Sequence, residues 1–266
     1  MAHQTPSHGP EPAAVSELRG GSFDRPRGVR LALAAALAIL AIAGLPKASQ
    51  AADERFEVTS IKAVRPPLAD TVAALEQRNV AAARAAFDAY DSAWNGIEVY
   101  INTRSKELYD VIEHTYQAKI AKALEAAEPD TAAIVPDAKT MLAKFDEAIG
   151  LVSTAQPLNP LYDDVARLRI VRAHLREVVP ALKAGNVAKA RKSYEAFDES
   201  WDSIEDLIKA RSSDNYVAVE KGMIEIEQAL TPDKPDVAKV SALVNEVMAK
   251  YNASLAEVMK EARSKK

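Results

Sequence analysis

A segment of this chain occurs twice. Residues 79–113 read NVAAARAAFDAYDSAWNGIEVYINTRSKELYDVIE, and residues 186–220 read NVAKARKSYEAFDESWDSIEDLIKARSSDNYVAVE. At an offset of 107 these two segments, called here the first and second windows, share 15 of 35 positions. Many of the shared positions are polar, although a helix surface that only had to face water would not need them. The repeat therefore predicts that two parts of the chain fold alike.

The part of the chain after the N-terminal region has the composition and the period of helices. Only four glycines follow residue 51, and Ala, Leu, Glu and Lys dominate. No stretch alternates with the two-residue period of a half-buried strand, and the apolar residues recur at helical spacing throughout. The chain is therefore predicted to be all-α.

Capping residues, prolines and glycines divide this part of the chain into eight predicted helices. The first four span about 67–77, 80–103, 106–127 and 137–151, and the second four about 163–184, 187–210, 213–230 and 237–262. Pro180 lies inside a helical run, where we expect a kink. Four helices suffice for one bundle, so we predict a tandem duplication of a four-helix bundle. The alternative is a superhelical repeat array, although its tetratricopeptide form has a period of roughly 34 residues.

The predicted domain boundaries follow from this plan. The chain divides into an N-terminal extension with a signal peptide (1–51), a first bundle repeat (52–152), a linker (153–164) and a second bundle repeat (165–266). The fourth helices also match, with Leu142–Phe145 corresponding to Met248–Tyr251, but at an offset of 106. We therefore expect the connector before the fourth helix to differ by one residue between the repeats.

The N-terminal region has the pattern of a secretory signal peptide. Three arginines precede the apolar run Leu31–Leu45, and a small-residue stretch follows it. The run has 15 residues, whereas a transmembrane helix needs about 20. We expect cleavage after Ala51 and a periplasmic protein that does not span the membrane, and an uncleaved signal anchor is the alternative.

Charge and cysteine content narrow the functional classes. After cleavage the chain would have 29 basic and 35 acidic residues, a net charge of −6. This mild acidity gives no electrostatic footprint for nucleic acid. The absence of cysteine excludes disulfides, thiolate metal sites and c-type haem attachment.

The matched polar residues are the main candidates for a functional site. On a helical wheel the apolar residues of 80–103 form one stripe, and four polar residues seven positions apart line its edge. These are Arg84, Asp91, Glu98 and Ser105, matched in the second window by Arg191, Asp198, Glu205 and Ser212. The following helix adds Tyr109 and Glu113, matched by Tyr216 and Glu220, which are four residues apart and share a face.

Two interpretations of these residues remain open. In the first they form a buried lattice of ion pairs and hydrogen bonds, with Arg84 paired to Asp91 or to a carboxylate of the next helix and Tyr109 donating to Glu98. In the second, carboxylate oxygens bind iron or another hard cation. The predicted metal ligands are then Asp91, Glu98, Glu113, Asp198, Glu205 and Glu220, and the supporting residues are Arg84, Tyr109, Arg191 and Tyr216.

Histidines add little to either interpretation. After the signal peptide only His114 and His174 remain, and both are expected at the surface or its boundary. His174 and Glu177 are three apart on one helical face and form a possible metal pair. No Ser-His-Asp set, glycine-rich phosphate loop or zinc motif is present, so the chain is predicted not to be an enzyme.

The string Trp-x-x-Ile-Glu-x-x-Ile-x-x-Arg-Ser-x-x-x-Tyr-x-x-(Ile/Val)-Glu occurs at 94–113 and 201–220. It resembles the extracytoplasmic helical domain of some bacterial high-affinity iron permeases. The layout is also similar to imelysin-like periplasmic iron-uptake proteins, whose Gly-x-His-x-x-Glu motif corresponds here to a segment with Arg172 in place of the glycine. The resemblance implies a periplasmic accessory of a metal-uptake system, with a membrane metal permease as partner. A structural or protein-interaction module without a ligand is the alternative.

Overall fold

The computed structural model describes residues 54–265, and all regular secondary structure in this range is helical, which confirms the all-α prediction. The predicted signal peptide and extension lie outside the described residues. The elements are α1 (Phe56–Glu76), α2 (Val80–Arg104), α3 (Lys106–Asp110), a π-helical segment (Val111–Gln117), α4 (Ala118–Leu124), α5 (Thr131–Thr154), α6 (Leu161–Lys183), α7 (Val187–Trp201), α8 (Glu205–Lys209), α9 (Ser213–Leu230) and α10 (Val237–Ser264). Within residues 54–265, none of the helices combines the length and apolar character that crossing a bilayer requires.

One hydrophobic core connects the helices. Helix α1 packs against α2 and α5, α2 packs against α6, and α6 packs against α7 and α10. At Gly96 in α2 an added Cβ would lie 2.4 Å from Ile170 Cγ1 of α6, so glycine permits this close approach. The core residues of the two windows, including Trp94 and Trp201, belong to the same cluster. The division into repeats at 52–152 and 165–266 stays a prediction from the sequence.

The predicted helix starts in the two windows are confirmed. The side chains of Asn79 and Asn186 accept hydrogen bonds from the backbone N–H three residues later, at the starts of α2 and α7. Ser105 and Ser212 have extended backbone and accept in the same way at the starts of α3 and α9. Each side chain satisfies a backbone donor that a helix start otherwise leaves unpaired.

The first helix begins earlier than predicted, at Phe56 rather than near residue 67, and it continues through Pro66 and Pro67. Proline removes a backbone donor and usually ends a helix. Here the residues before the prolines, including Ile61 and Val64, are buried in the core. Their packing outweighs the local preference, which the sequence pattern alone does not reveal.

The predicted helix 187–210 is wrong because the structure divides it. Helix α7 ends at Trp201 and α8 begins at Glu205. Between them the Ser203 hydroxyl donates to the Ser200 carbonyl over 2.6 Å, and the backbone N–H groups bond three residues back. A serine side chain that bonds to a nearby carbonyl competes with the helical pattern. The matched residue in the uninterrupted α2 is Gly96, which has no such side chain.

The one-residue difference between the repeats lies in the π-helical segment, so its predicted position in the connector is wrong. The loops 125–130 and 231–236, which precede the fourth helices, have equal lengths. Arg84 donates to the Leu124 carbonyl 40 residues later, whereas Arg191 donates to the Leu230 carbonyl 39 residues later. A π turn accommodates one more residue than an α turn. Helix α9 has no such turn.

Deletion of the exposed Thr115 should therefore convert 106–124 into an α-helix at little cost. It leaves Ile112 and Ile120 seven residues apart, the spacing of the buried Val219 and Ile226 in α9, which keeps both on one face. We expect the free energy of unfolding in urea to change by less than about 1 kcal/mol.

The control is deletion of the exposed Lys221, which reduces the spacing between Val219 and Ile226 to six. This rotates Ile226 out of the core and should cost about 2–5 kcal/mol. Equal losses for the two deletions would show that the π-helical segment does not accommodate the extra residue.

Candidate functional site

Arg84 and Arg191 cap helix ends, so their predicted pairing with carboxylates is wrong. Arg84 Nε donates to the Leu124 carbonyl over 2.8 Å, and its Nη2 donates to the Ala126 carbonyl over 2.6 Å. Arg191 donates in the same way to carbonyls at the end of α9, from Leu230 to Pro232. The last carbonyls of a helix have no partner within the helix and carry its negative dipole end. A guanidinium satisfies both requirements.

The matched tryptophans bind the matched glutamates. The Nε1–H of Trp94 donates to Glu113, and that of Trp201 donates to Glu220. Tyr109 stacks on the Trp94 ring with a centroid separation of 6.2 Å, and Tyr216 stacks on Trp201 at 6.4 Å. The aromatic and carboxylate residues of each window therefore form one cluster between the second helix and the helix that follows. We call these the first and second Trp–Glu clusters.

Glu98 and Glu205 have different partners in the two windows. Glu98 forms an ion pair with Arg169 of α6. Burial raises the pKa of Glu98, which the charge of Arg169 opposes. Burial also raises the pKa of Glu205, with a contribution from the charge of Glu220, while a hydrogen bond with Tyr216 lowers it.

The predicted hydrogen bond from Tyr109 to Glu98 is wrong, because among residues 54–265 Glu98 acts on Tyr109 only through its charge. Burial raises the pKa of the Tyr109 hydroxyl to about 12, with contributions from the charges of Glu98 and Glu113. The predicted tyrosine–glutamate hydrogen bond occurs in the second window, between Tyr216 and Glu205.

Asp91 accepts a hydrogen bond of 2.6 Å from the amide of Gln117, the last residue of the π-helical segment. Two buried oxygens beside it, the Tyr90 hydroxyl and Gln117 Oε1, have no hydrogen-bond partner. Burial raises the pKa of Tyr90 well above its usual value, and the charges of Glu113 and Asp91 add to this rise. Asp198 is half-buried at the matched position of α7.

The predicted metal ligands do not form one group. Across residues 54–265, no set of three or more His, Asp or Glu side chains is arranged to hold a metal ion. Asp91, Glu98 and Glu113 each contact a different partner: Gln117, Arg169 and Trp94. His174 is half-buried, and burial lowers its pKa.

Sequence reasoning missed three arginines on α6. Arg169, Arg172 and Arg176 lie on one helical face and reach α2 and α10. Their spacing of three and four residues is readable from the sequence, but arginines at this spacing are common on solvated helices. Only the packing of α6 between α2 and α10 shows that this face is partly covered.

Comparisons with protein-family models, with curated proteins and with solved structures found no match for this chain. The resemblance to iron-permease domains and imelysin-like proteins therefore stays an expectation from the sequence.

The arginine caps predict matched losses of stability. Arg84→Ala and Arg191→Ala should each lower the free energy of unfolding by about 1.5–3 kcal/mol, the usual range for a hydrogen bond to a charged group. Lys192→Ala, which removes an exposed cation beside Arg191, should change it by less than about 0.5 kcal/mol. Urea unfolding followed by circular dichroism measures all three variants. A loss for Lys192→Ala as large as that for Arg191→Ala would rule out the capping role.

The stability of the protein should fall as the pH rises from 4.5, the ordinary pKa of a glutamate, through the raised pKa of Glu113. Burial is the main cause of the raised pKa of Glu113, and the charge of Asp91 adds to it. The folded state therefore keeps a proton that the unfolded state releases, so stability falls over this interval. Glu113→Gln keeps an oxygen for the indole and removes this contribution. Its stability should exceed that of the wild type progressively more as the pH rises through this interval.

Trp94→Phe should have the opposite effect on the pH dependence of stability. It removes the hydrogen bond that lowers the pKa of Glu113, so this pKa should rise further. The loss of stability should then extend to higher pH than in the wild type. Urea unfolding at a series of pH values measures both variants. The same pH dependence in Glu113→Gln and wild type would contradict this role of Glu113.

Proposed function

We propose that the protein is a non-enzymatic, exported helical module whose matched polar residues hold the helices in register. The observation that carries this proposal is that three kinds of internal contact, made by the arginines, the Trp–Glu pairs and the serines, have equivalent partners in the two windows. Each arginine caps the end of a later helix, each tryptophan donates to the glutamate 19 residues later, and each serine caps the next helix. Polar networks of this kind specify a unique packing of helices.

A second candidate is supported by one observation in the first predicted bundle repeat alone. The Tyr90 hydroxyl and Gln117 Oε1 are buried without a partner next to Asp91 and Glu113. Buried polar groups without partners are rare and call for an explanation. Two carboxylates, an amide carbonyl and a hydroxyl are oxygen ligands of the kind that hard cations take. The protein would then be a periplasmic metal-binding accessory, with a membrane metal permease as partner.

The second predicted bundle repeat offers a natural comparison for this site. Its counterparts of Tyr90 and Gln117 are Phe197, at the offset of 107, and Met223, at the offset of 106 that applies after the π-helical segment. Both are apolar and buried. The second candidate therefore predicts one cation per chain rather than two.

Calorimetric titration with ferric, ferrous, manganese and calcium ions distinguishes the two candidates. The structural module predicts no saturable binding by the wild type or by Glu98→Gln with Glu205→Gln. The cation site predicts one binding event that Tyr90→Phe and Gln117→Met weaken at least tenfold and that Asp198→Asn leaves unchanged. Circular dichroism confirms that the variants fold. Saturable binding that all these variants retain would contradict both candidates.

A further inference from the structure

Two arginines of α6, Arg172 and Arg176, have no ion pair with a carboxylate within the described residues. Arg169 pairs with Glu98, but Arg172 Nη1 donates to Asn252 Oδ1 over 2.9 Å and Arg176 Nη1 donates to Asn95 Oδ1 over 2.7 Å. Amide oxygens are neutral, so they accept the hydrogen bonds without balancing the charge. Like charges three and four residues apart on a helix repel one another. This face of α6 therefore carries more positive charge than the residues around it neutralise.

The contact in the first repeat that corresponds to Arg172 and Asn252 includes a carboxylate, which supplies the negative charge that Asn252 lacks. Arg65 of α1, at the offset of 107 from Arg172, binds Asp146 of α5 through two hydrogen bonds of 2.6 and 2.9 Å. At the offset of 106 the counterpart of Asp146 is Asn252. Bidentate arginine–carboxylate pairs are among the strongest ion pairs in proteins. The second repeat keeps the arginine and the contact, but an amide replaces the carboxylate.

Arg172 is poorly compensated where it lies. Its Nε is buried and has no hydrogen-bond partner, and the same is true of Arg169 Nε. Burial lowers the pKa of Arg172, and the charges of Arg169 and Arg176 lower it further. In contrast, the hydrogen bonds that Arg65 donates to Asp146 raise the pKa of Arg65. An anion beside Arg172 would supply the compensation that Asp146 gives Arg65.

A groove between α6 and α10 opens beside Arg176, and Arg172 donates a hydrogen bond to Asn252 in its lining. It has a volume of about 590 Å³, within the range of small-molecule sites. Arg176, Asn245 and Asn252 line its polar part, and Asn252 keeps its amide N–H groups for a ligand because its oxygen accepts from Arg172. Glu177 also lines the groove, but its carboxylate lies 3.2 Å from Lys189 Nζ. The apolar part is formed by Val179, Pro180, Val244, Met248 and Ala249.

We infer that this groove binds an organic anion, a carboxylate or phosphate monoester with an apolar chain. Its acid group lies between Arg172, Arg176 and the Asn252 amide, and its chain lies along Val179 and Met248. The acid group supplies the negative charge that the Asp146 carboxylate supplies in the first repeat. This inference is independent of the proposed function, because it uses neither the Trp–Glu clusters nor a metal ion.

Calorimetric titration of the wild type with octanoate and octyl phosphate, at constant ionic strength, tests the inference. Both should bind saturably with one site. 1-Octanol lacks the charge, and acetate and inorganic phosphate lack the chain, so these three should bind at least tenfold more weakly. Equal binding of 1-octanol would refute the role of the arginines. Equal binding of acetate or inorganic phosphate would refute the role of the apolar groove.

Asn252→Asp is the decisive variant, because it restores within the chain the carboxylate that the ligand is expected to supply. It should lower the affinity for octanoate at least tenfold while raising the midpoint of thermal unfolding. Arg176→Gln, a change at an exposed residue, should also weaken binding at least tenfold without loss of folding. The matched control Asp146→Asn should leave octanoate binding unchanged. Octanoate binding by Asn252→Asp as tight as by the wild type, or no binding by the wild type, would overturn the inference.

Discussion

The buried indole N–H is the constraint on which the two windows depend. Trp94 and Trp201 are almost completely buried, and a buried donor without an acceptor costs free energy. In both windows the acceptor is the glutamate 19 residues later, on the helix that follows. The half-buried carboxylate also gains from the hydrogen bond, so each group compensates the other. Their pairing sets the register between the two helices and brings the matched tyrosine over the indole ring.

The π-helical segment shows how one chain meets two such constraints at once. The Trp–Glu pair requires a separation of 19 residues, and the arginine cap requires that a later carbonyl reach the start of the same helix. With one extra residue between them, a continuous α-helix would turn Ile120 and Leu124 away from the core, because each added residue rotates the face by about 100°. A π turn takes up the residue and leaves both contacts intact. The Trp–Glu pair and the arginine cap thus recur despite the extra residue.

Much of the fold was predictable because local signals and the helical period agree. Asn79, Ser105 and their counterparts start helices where a capping residue precedes an apolar run. The start of α1 was missed because core packing outweighs the effect of two prolines, and the break after Trp201 because a serine side chain bonds to a nearby carbonyl. The matched polar residues were identified, but their partners were not. A helical wheel gives the face on which Arg84 lies, whereas its partner carbonyls belong to a segment 40 residues later.

The differences between matched positions of the chain carry more information about function than the similarities. Contacts that recur, such as the arginine caps and the Trp–Glu pairs, are sufficiently explained by the need to satisfy buried polar groups. That explanation fails where a matched partner has changed. Asn252 leaves Arg172 without the charge that Asp146 gives Arg65, and Tyr90 and Gln117 place polar atoms where Phe197 and Met223 are apolar. The recurring contacts fix the positions of the helices, and therefore also the positions of both unpaired groups. An unpaired group lowers the stability of the folded chain. A ligand that supplies the missing partner removes this cost when it binds, which strengthens its binding.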